Sequence, residues 1–357
     1  MKPQALSPHR GTTFTRYIKS LAIARGNVVG AMAYARSQNW ENEEAVVTSL
    51  KALVTAEGIA DWGLGTPAVS DFVAFVRPLS LTGKLIGLRQ TPSRVRSIAA
   101  TSGSGAFWAG EKNPRALSKM QFSAANLEPL SVISEIVITR ELAQSSSPQV
   151  EPILSRDLAA AMVAAMDSAF ISHSSGGVAG VMPASITYGT TAIHSTGNLL
   201  AQIDADLALM IEKLMESGSD MNFATFVMRP RTALFLSRLR GSGGALAYPG
   251  MGVKGGTILG LPCITSASVP VDDIGSPYTG TSQITLLDPS QVLVVDDGGA
   301  TLEASAEASI LMDDGPGSPS SEVSMFQTES VILKSRRLLN WRCVRSGVAQ
   351  VLDQVAY

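Results

Sequence analysis

The sequence predicts an α+β protein with helices at its front, a long β excursion behind them, and a mixed remainder. Three observations carry this. Apolar residues recur at helical spacing over the first fifty-odd residues. The period shortens to that of strands between Phe72 and Thr139. Beyond that, two long amphipathic helices are followed by short strands separated by turns. With 357 residues and 45% hydrophobic content, the chain suffices for one large domain or two smaller ones.

In the first segment Phe14, Ile18, Leu21 and Ala22 share a helix face, followed by Val28, Met32 and Ala35. Asn42 caps a third helix whose first turn holds Glu43 and Glu44 and whose stripe is Val46, Val47, Leu50, Leu53 and Val54. Gly58, Gly63, Gly65 and Pro67 then break the pattern, and the arm reads as separable from the rest of the chain. Strand spacing is expected from Phe72. Residues 85–98 read as extended, and Thr101–Arg115 is too polar and Gly-rich for a core. Residues 119–138 resume as strand and end in Ile136, Val137 and Ile138. Together these make a two-stranded excursion, which is marginal alone and must lie on something else, such as a neighbouring subunit.

Ser147 and Pro148 signal the start of a long helix. Pro152 moves that start a few residues later, and Leu154, Leu158, Met162, Ala165 and Ala169 form its stripe to about Ser172. A rod of roughly twenty residues spans ~30 Å. Residues 173–195 read as loop. Leu200, Ile203, Leu207, Met210, Ile211 and Leu214 make a second helix, closed by Gly218. A strand at Ala224–Met228 leads to a short helix at Arg231–Leu239. The seven glycines of Gly241–Gly256 read as a loop. Strands follow at Thr257–Leu259, Cys263–Ser266, Ile284–Leu287 and Val292–Val295. After a loop at Asp313–Ser321 come two strands, Val331–Arg337 and Trp341–Arg345, and a last one at Val348–Leu352.

Only 16% of residues are charged and the formal net charge is −2, a low charge density that suits a chain burying surface against copies of itself. Residues 1–40 carry Lys2, Arg10, Arg16, Lys19, Arg25 and Arg36 with no Asp or Glu. Such an arm meets nucleic acid or an acidic partner, or is a solvated helix face; both readings stay open. Two cysteines, Cys263 and Cys343, fit a reducing cytoplasm without implying a disulfide. The N-terminus has no apolar core followed by a small-residue cleavage site. The longest helical apolar run, Leu158–Met166, is bounded by Asp157 and Asp167 and falls far short of the ~20 residues of a membrane span. A soluble protein made in the cytoplasm is expected, without a membrane partner.

Several segments resemble the tailed-phage major capsid proteins of the Hong Kong 97 type. Phe107-Trp-Ala-Gly-Glu-Lys112 is similar to the aromatic-Gly-Glu stretch of that family's extended loop. Ile138-Thr-Arg-Glu-Leu142, followed by Ser146-Ser-Pro148, resembles its approach to the long helix. Leu259-Gly-Leu-Pro-Cys-Ile-Thr-Ser-Ala-Ser-Val-Pro270 resembles its Gly-x-Pro strand and Ser-x-x-Val-Pro ending. Residues 326–352, with Phe326 and Trp341, resemble its closing segment. The likeness covers about residues 70–352, and the order of the segments is its strongest part.

The resemblance implies an N-terminal helical arm (1–70) and a strand with extended loop (71–140, the loop about 90–135). It further implies a spine helix of a peripheral domain (141–180), an axial domain (181–325) and a returning β ribbon of the peripheral domain (326–357). It implies self-assembly into hexamers and pentamers of an icosahedral shell around double-stranded DNA, bound non-specifically. Portal, scaffold and maturation protease are the implied further partners. The virion capsid, assembled in the host cytoplasm, is the implied location, and neither enzymatic activity nor a cofactor is expected. The implied inter-subunit contacts are Trp108, Glu111, Lys112, Arg115, Lys119, Arg336 and Arg337. Arg10, Arg16, Lys19 and Arg25 are candidates for internal nucleic-acid or scaffold contact. Some relatives cross-link a loop lysine to an asparagine; Lys112 and Lys119 lie in the right region, but no asparagine is assigned, Asn340 being the only one near the end. An encapsulin-type nanocompartment shell, which packages cargo protein, shares the fold and is the alternative.

Motifs for chemistry fail on context. Gly250-Met-Gly-Val-Lys-Gly255 matches G-x-G-x-x-G, but Tyr248-Pro249 precedes it and a β-prone segment comes after it, where a dinucleotide site needs a strand and then a helix. His9, His173 and His194 lack metal-ligand spacing. The pairs Asp272-Asp273, Asp296-Asp297 and Asp313-Asp314 read as solvated turns.

Overall fold

The computed structural model describes residues 11–55, 66–92, 96–102, 121–139, 141, 150–273, 279–296, 300–312 and 321–357. Its helices are α1 (Thr12–Ile23), α2 (Val28–Ser37), α3 (Glu43–Thr55), α4 (Pro67–Val76), α5 (Leu81–Lys84), α6 (Val150–Ile171), α7 (Leu200–Glu216) and α8 (Pro230–Arg238). The first strands are β1 (Arg89–Gln90), β2 (Arg96–Ser102), β3 (Gln121–Asn126), β4 (Leu130–Thr139) and β5 (Ile193–His194). Then come β6 (Thr225–Met228), β7 (Met251–Gly252), β8 (Gly255–Ile258), β9 (Leu261–Thr265), β10 (Val271–Asp273) and β11 (Thr279–Leu287). The last are β12 (Val292–Val295), β13 (Ala300–Ser305), β14 (Ser309–Met312), β15 (Ser321–Ser324), β16 (Ser330–Cys343) and β17 (Ala349–Val355). The chain divides into two units. The first holds Met1–Gly83, Ser131–Met166 and Asp297–Leu338; the second holds Lys84–Leu130, Asp167–Asp296 and Leu339–Tyr357.

In the first unit, α1, α3 and α4 bury Phe14, Ile18, Leu21, Leu50, Phe72 and Val76, with the rings of Phe14 and Phe72 4.4 Å apart. The start of α1 lacks a side-chain cap of its own. Asp71 of α4 supplies one from sixty residues away, its carboxylate accepting from the amides of Gly11, Thr13 and Phe14 at 2.9, 3.0 and 3.3 Å. This arrangement satisfies donors that a helix N-terminus leaves open and places a negative charge at the positive end of the dipole. Asn27 caps α2 in the local way, accepting from Val29 and Gly30. Both α1 and α4 touch β13, which is antiparallel to residues 332–337 of β16.

Four sequence expectations change here. The arm does not stand as a unit of its own: it groups with β13 and most of β16 in the first unit, and α1 touches β13. Residues 72–76, expected as the start of strand spacing, are the second half of a helix: Pro67 occupies its first turn and Ala68, Val69, Phe72 and Val76 point inward. Residues 300–312, expected in the axial segment, group with the first unit through the β13–β16 ladder. The ladder also joins the two expected terminal strands into one, β16, of 14 residues.

The long helix α6 runs 22 residues. Its buried stripe is Leu154, Leu158, Met162, Met166 and Phe170; the expected Ala165 and Ala169 give way to the bulkier residues beside them. Its last carbonyls are satisfied from the second unit's own loops. Phe170 accepts from Ser185 Oγ at 2.9 Å, and Ile171 from Thr187 Oγ1 at 3.1 Å and Gln283 Nε2 at 2.7 Å.

The second unit is built on an eight-stranded mixed sheet in the order β5-β17-β11-β6-β9-β8-β7, with β10 on β11. Helices α7 and α8 bury Ile203, Leu207, Met210, Leu214, Ala233 and Leu236 in one core with Phe226, Met228, Ile284, Leu286 and Leu352 of the sheet. The glycine-rich stretch is partly a tight hairpin, β7–β8, and not only a loop. Gly255 has φ +103°, and a Cβ there would lie 2.3 Å from the Cys263 carbonyl oxygen. Glycine is needed for the close approach of two strands.

Candidate assembly surfaces

The β2–β3 ribbon is antiparallel, pairing Arg96 with Asn126 and Ala100 with Phe122, and among the described residues it forms a sheet of two strands. The loop that joins its strands, with Trp108, Glu111, Lys112, Arg115 and Lys119, lies outside the described residues, as does Arg10. A ribbon of two strands offers both outer edges for further pairing.

The remaining expected contact residues fall into different environments. Arg337 has no exposed surface and lies in the first unit, with one guanidinium nitrogen 3.9 Å from Met166 Sδ. It occupies an inward position of β16, so it is not available to a neighbouring subunit. Arg336, one residue earlier, is half-buried. Arg16 is also engaged within the chain: its guanidinium sits 5.3 Å from the Trp40 ring centre and donates to Asn42, which in turn donates to Thr13 Oγ1 at 2.9 Å. Lys19 is half-buried on the same helix, and Arg25 is exposed at the α1–α2 turn with φ 54°. The structure therefore brings Arg16 and Lys19 onto one helix and gives Arg16 a structural role.

The groups with latent chemistry are held in ordinary structural contacts. His173 Nδ1 lies 3.0 Å from the Thr187 carbonyl, and His194 Nδ1 2.7 Å from Asp353 Oδ1 on the β5–β17 pair. Cys263 and Cys343 are free thiols. Burial pushes Cys263 up to about 12, and burial pushes Cys343 up to about 11 against the lowering charge of Arg342, so neither is a ready nucleophile. Gly250–Gly255 enters the β7–β8 hairpin with no helix after it, which removes the geometry a pyrophosphate needs. Among the described residues no three His, Cys, Asp or Glu side chains gather as metal ligands, and no helix is long and apolar enough to cross a membrane.

Exposed apolar side chains are the more informative feature, and nothing in the sequence pattern announces them. Ile86 is 75% and Phe326 72% exposed, and Val29, Ile153, Val181 and Leu199 are exposed as well. Burial alternates along strands and helices but shows no sign for a single apolar residue beside a loop, so no local pattern marks these positions. The second unit also holds a cleft of about 1050 Å³ between the 176–191 loop and Trp341. Trp341 closes its floor, donating from Nε1 to the Ala184 carbonyl at 2.8 Å and meeting Phe170 edge to face. At its rim Asn340 is occupied at both ends of its amide, donating to Glu128 and accepting from the Trp341 amide.

Residues 83–333 match the Phage capsid family. The chain belongs to the phage capsid family. It is 31% identical to the capsid polyprotein of Pseudomonas phage PAJU2 over 99% of its own length. It is 25% identical to the major capsid protein of Klebsiella oxytoca phage phiKO2 over 86% of its length. The capsid chain spans 55% of the PAJU2 polyprotein and 71% of the phiKO2 protein. Among solved structures, a chain from Gordonia phage Cozz superposes with a TM-score of 0.54 at 18% identity, covering 79% of this chain and 86% of that one. The capsid of a native GTA particle gives 0.50 at 14% identity, covering 80% and 91%. These likenesses establish the α+β, Hong Kong 97-type fold.

Proposed function

We propose that the chain is the major capsid protein of a tailed phage, and that it acts by self-assembly into the icosahedral head shell around double-stranded DNA. The observation that carries this reading is the match to a capsid polyprotein, 31% identical over 99% of the chain. The low charge content and the exposed apolar side chains support it, since both suit surfaces that are covered by other copies. The work of such a protein is binding rather than catalysis, and no enzymatic activity is assigned to it.

In this reading copies associate as hexamers and pentamers. The β2–β3 ribbon and its loop reach over a neighbour, and Trp108, Glu111, Lys112, Arg115 and Lys119 make contacts there. Helix α6 and the terminal strands form the peripheral domain, and residues 181–296 the axial domain. Arg336 remains a contact candidate; Arg337 does not. Arg10, Lys19 and Arg25 face the interior, toward scaffold or DNA. A portal, a scaffold and a maturation protease complete the assembly in the host cytoplasm.

Electron microscopy of the purified chain tests the proposal. Shells, capsomers or curved sheets are expected, and an enduring monomer with measurable turnover would overturn it. Nucleic acid inside shells isolated from infected cells is the expected content. A packaged cargo protein in its place would favour an encapsulin-type nanocompartment.

A further inference from the structure

The two helices of the second unit present opposite charge to solvent. The outward positions of α7 include Asp204, Ala208, Leu209, Glu212, Met215 and Glu216, and no cation is among them. Those of α8 are Arg231, Leu234 and Arg238, and no acid is among them. Inward, both helices enter the same core, so the segregation belongs to their free sides alone. Beside α8 lies a cleft of about 490 Å³ lined by both arginines with Leu234, Phe235 and Leu239. Its floor is aromatic: the rings of Phe235 and Tyr357 are 5.0 Å apart.

Position decides whether these faces can meet within one chain. The end of α7 sits at the start of β6, where Thr225 pairs with Leu287 and Ser219 Oγ donates to Asp288 at 2.5 Å. Helix α8 begins past the other end of β6, where Thr232 Oγ1 lies 3.1 Å from Ser282 Oγ. Ser282 and Leu287 are the two ends of a β11 stretch of roughly 17 Å. The acidic turn and the basic cleft are therefore at opposite ends of one sheet. Two complementary faces so placed can meet only between copies, head to tail, and such contacts form rings where the rotation between copies closes.

We propose that the Arg231–Arg238 cleft of one copy receives the Glu212–Met215–Glu216 turn of a second copy. This rests on the shell-forming function above and gives it a specific contact. Met215 is 53% exposed and Leu234 42%. The flexible thioether fills the apolar floor, and the two carboxylates reach the two guanidiniums, a pairing that sets direction and register more than raw affinity. Lys213 lies within this turn in sequence but is half-buried, and it lines the larger cleft of the same unit together with Glu216, Arg342 and Arg345.

Charge reversal in the full chain tests the contact. R231E/R238E and E212R/E216R are each expected to lower the assembled fraction on the order of tenfold or more at fixed concentration, because like charges then face each other. The four changes combined are expected to restore assembly, with circular dichroism unchanged throughout. Pairwise variants that assemble like the unmodified chain overturn the proposal, as does a fourfold variant no better than the pairs. Pairs that assemble normally but lose co-purifying DNA overturn it in favour of a phosphate contact at α8. An unmodified chain that never leaves the monomeric state overturns the shell-forming function itself. As a second arm, M215C and L234C copies mixed under oxidising conditions are expected to give a disulfide-linked dimer that neither gives alone. Its absence from the mixture overturns the contact even where charge reversal affects folding.

Discussion

Arg336 and Arg337 are neighbours in sequence and lie on opposite faces of β16, so the first is half-buried and the second has no exposed surface. An arginine taken wholly out of water is held by its packing and its polar neighbours, and truncation leaves those neighbours uncompensated. Arg337→Ala is therefore expected to cost about 3 kcal/mol or more of subunit stability in urea unfolding, and Arg336→Ala less. The same scale carries a pH prediction. Burial raises Tyr17 to about 12, with the Glu303 carboxylate adding to it, while Cys263 is raised to about 12 and Cys343 to about 11. Each folded-state value lies above the unfolded one, so the folded chain keeps protons that the unfolded chain releases. This contribution is complete below about pH 9, near the ordinary thiol value, and is lost as pH rises through the folded values. Thermal midpoints measured from pH 8 upward are expected to fall past pH 9. Removing the thiols with Cys263→Ser and Cys343→Ser is expected to flatten part of that fall.

At the scale of elements, periodicity was readable where a helix or strand had one buried side and ordinary residues on it. α1 to α3, α6, α7 and β6 are such cases, each near its expected bounds. It failed where the inward residue was atypical. In β16 the inward positions run Leu333, Ser335, Arg337, Leu339 and Trp341, and the outward ones include Leu338, so the charged residue inside hides a single continuous strand. In α4 the run Ala68–Val76 is apolar nearly all round, which erases the helical period and leaves only Pro67 as a start signal. The remote cap on α1 from Asp71 had no local signature at all. The Gly-rich hairpin β7–β8 was misread because glycine marks flexibility and close strand approach alike. Gly255→Ala distinguishes them: with φ +103° and a Cβ clash at the Cys263 carbonyl, it is expected to destabilise the subunit by about 1–3 kcal/mol in chemical unfolding. A true loop glycine such as Gly243, with open space around its Cβ, is expected to tolerate the same change to within about 0.5 kcal/mol.

At the scale of the whole molecule, the low charge content and the scattered exposed apolar residues, Ile86 and Phe326 foremost, leave apolar surface that association can cover. Covering it contributes about 25 cal/mol per Å² of apolar area, against several kcal/mol of lost rotational and translational freedom. Association selects the folded chain, so it stabilises that chain by mass action and its effect grows with concentration. The thermal midpoint of the unmodified chain is expected to climb over about a hundredfold range of concentration, whereas a monomer's would stay level. Deleting residues 100–118 separates the two contributions. Among the described residues the β2–β3 pair has no third strand, and the shortened subunit is expected to fold and to melt at the midpoint the full chain reaches when dilute. Its midpoint is expected to lose most of the concentration dependence, as follows from the proposal that the ribbon pairs with other copies. Calorimetry of both chains side by side decides the matter: a shortened chain that is unfolded throughout places the ribbon in the subunit core, and one that keeps the full concentration dependence removes the ribbon from the assembly interface.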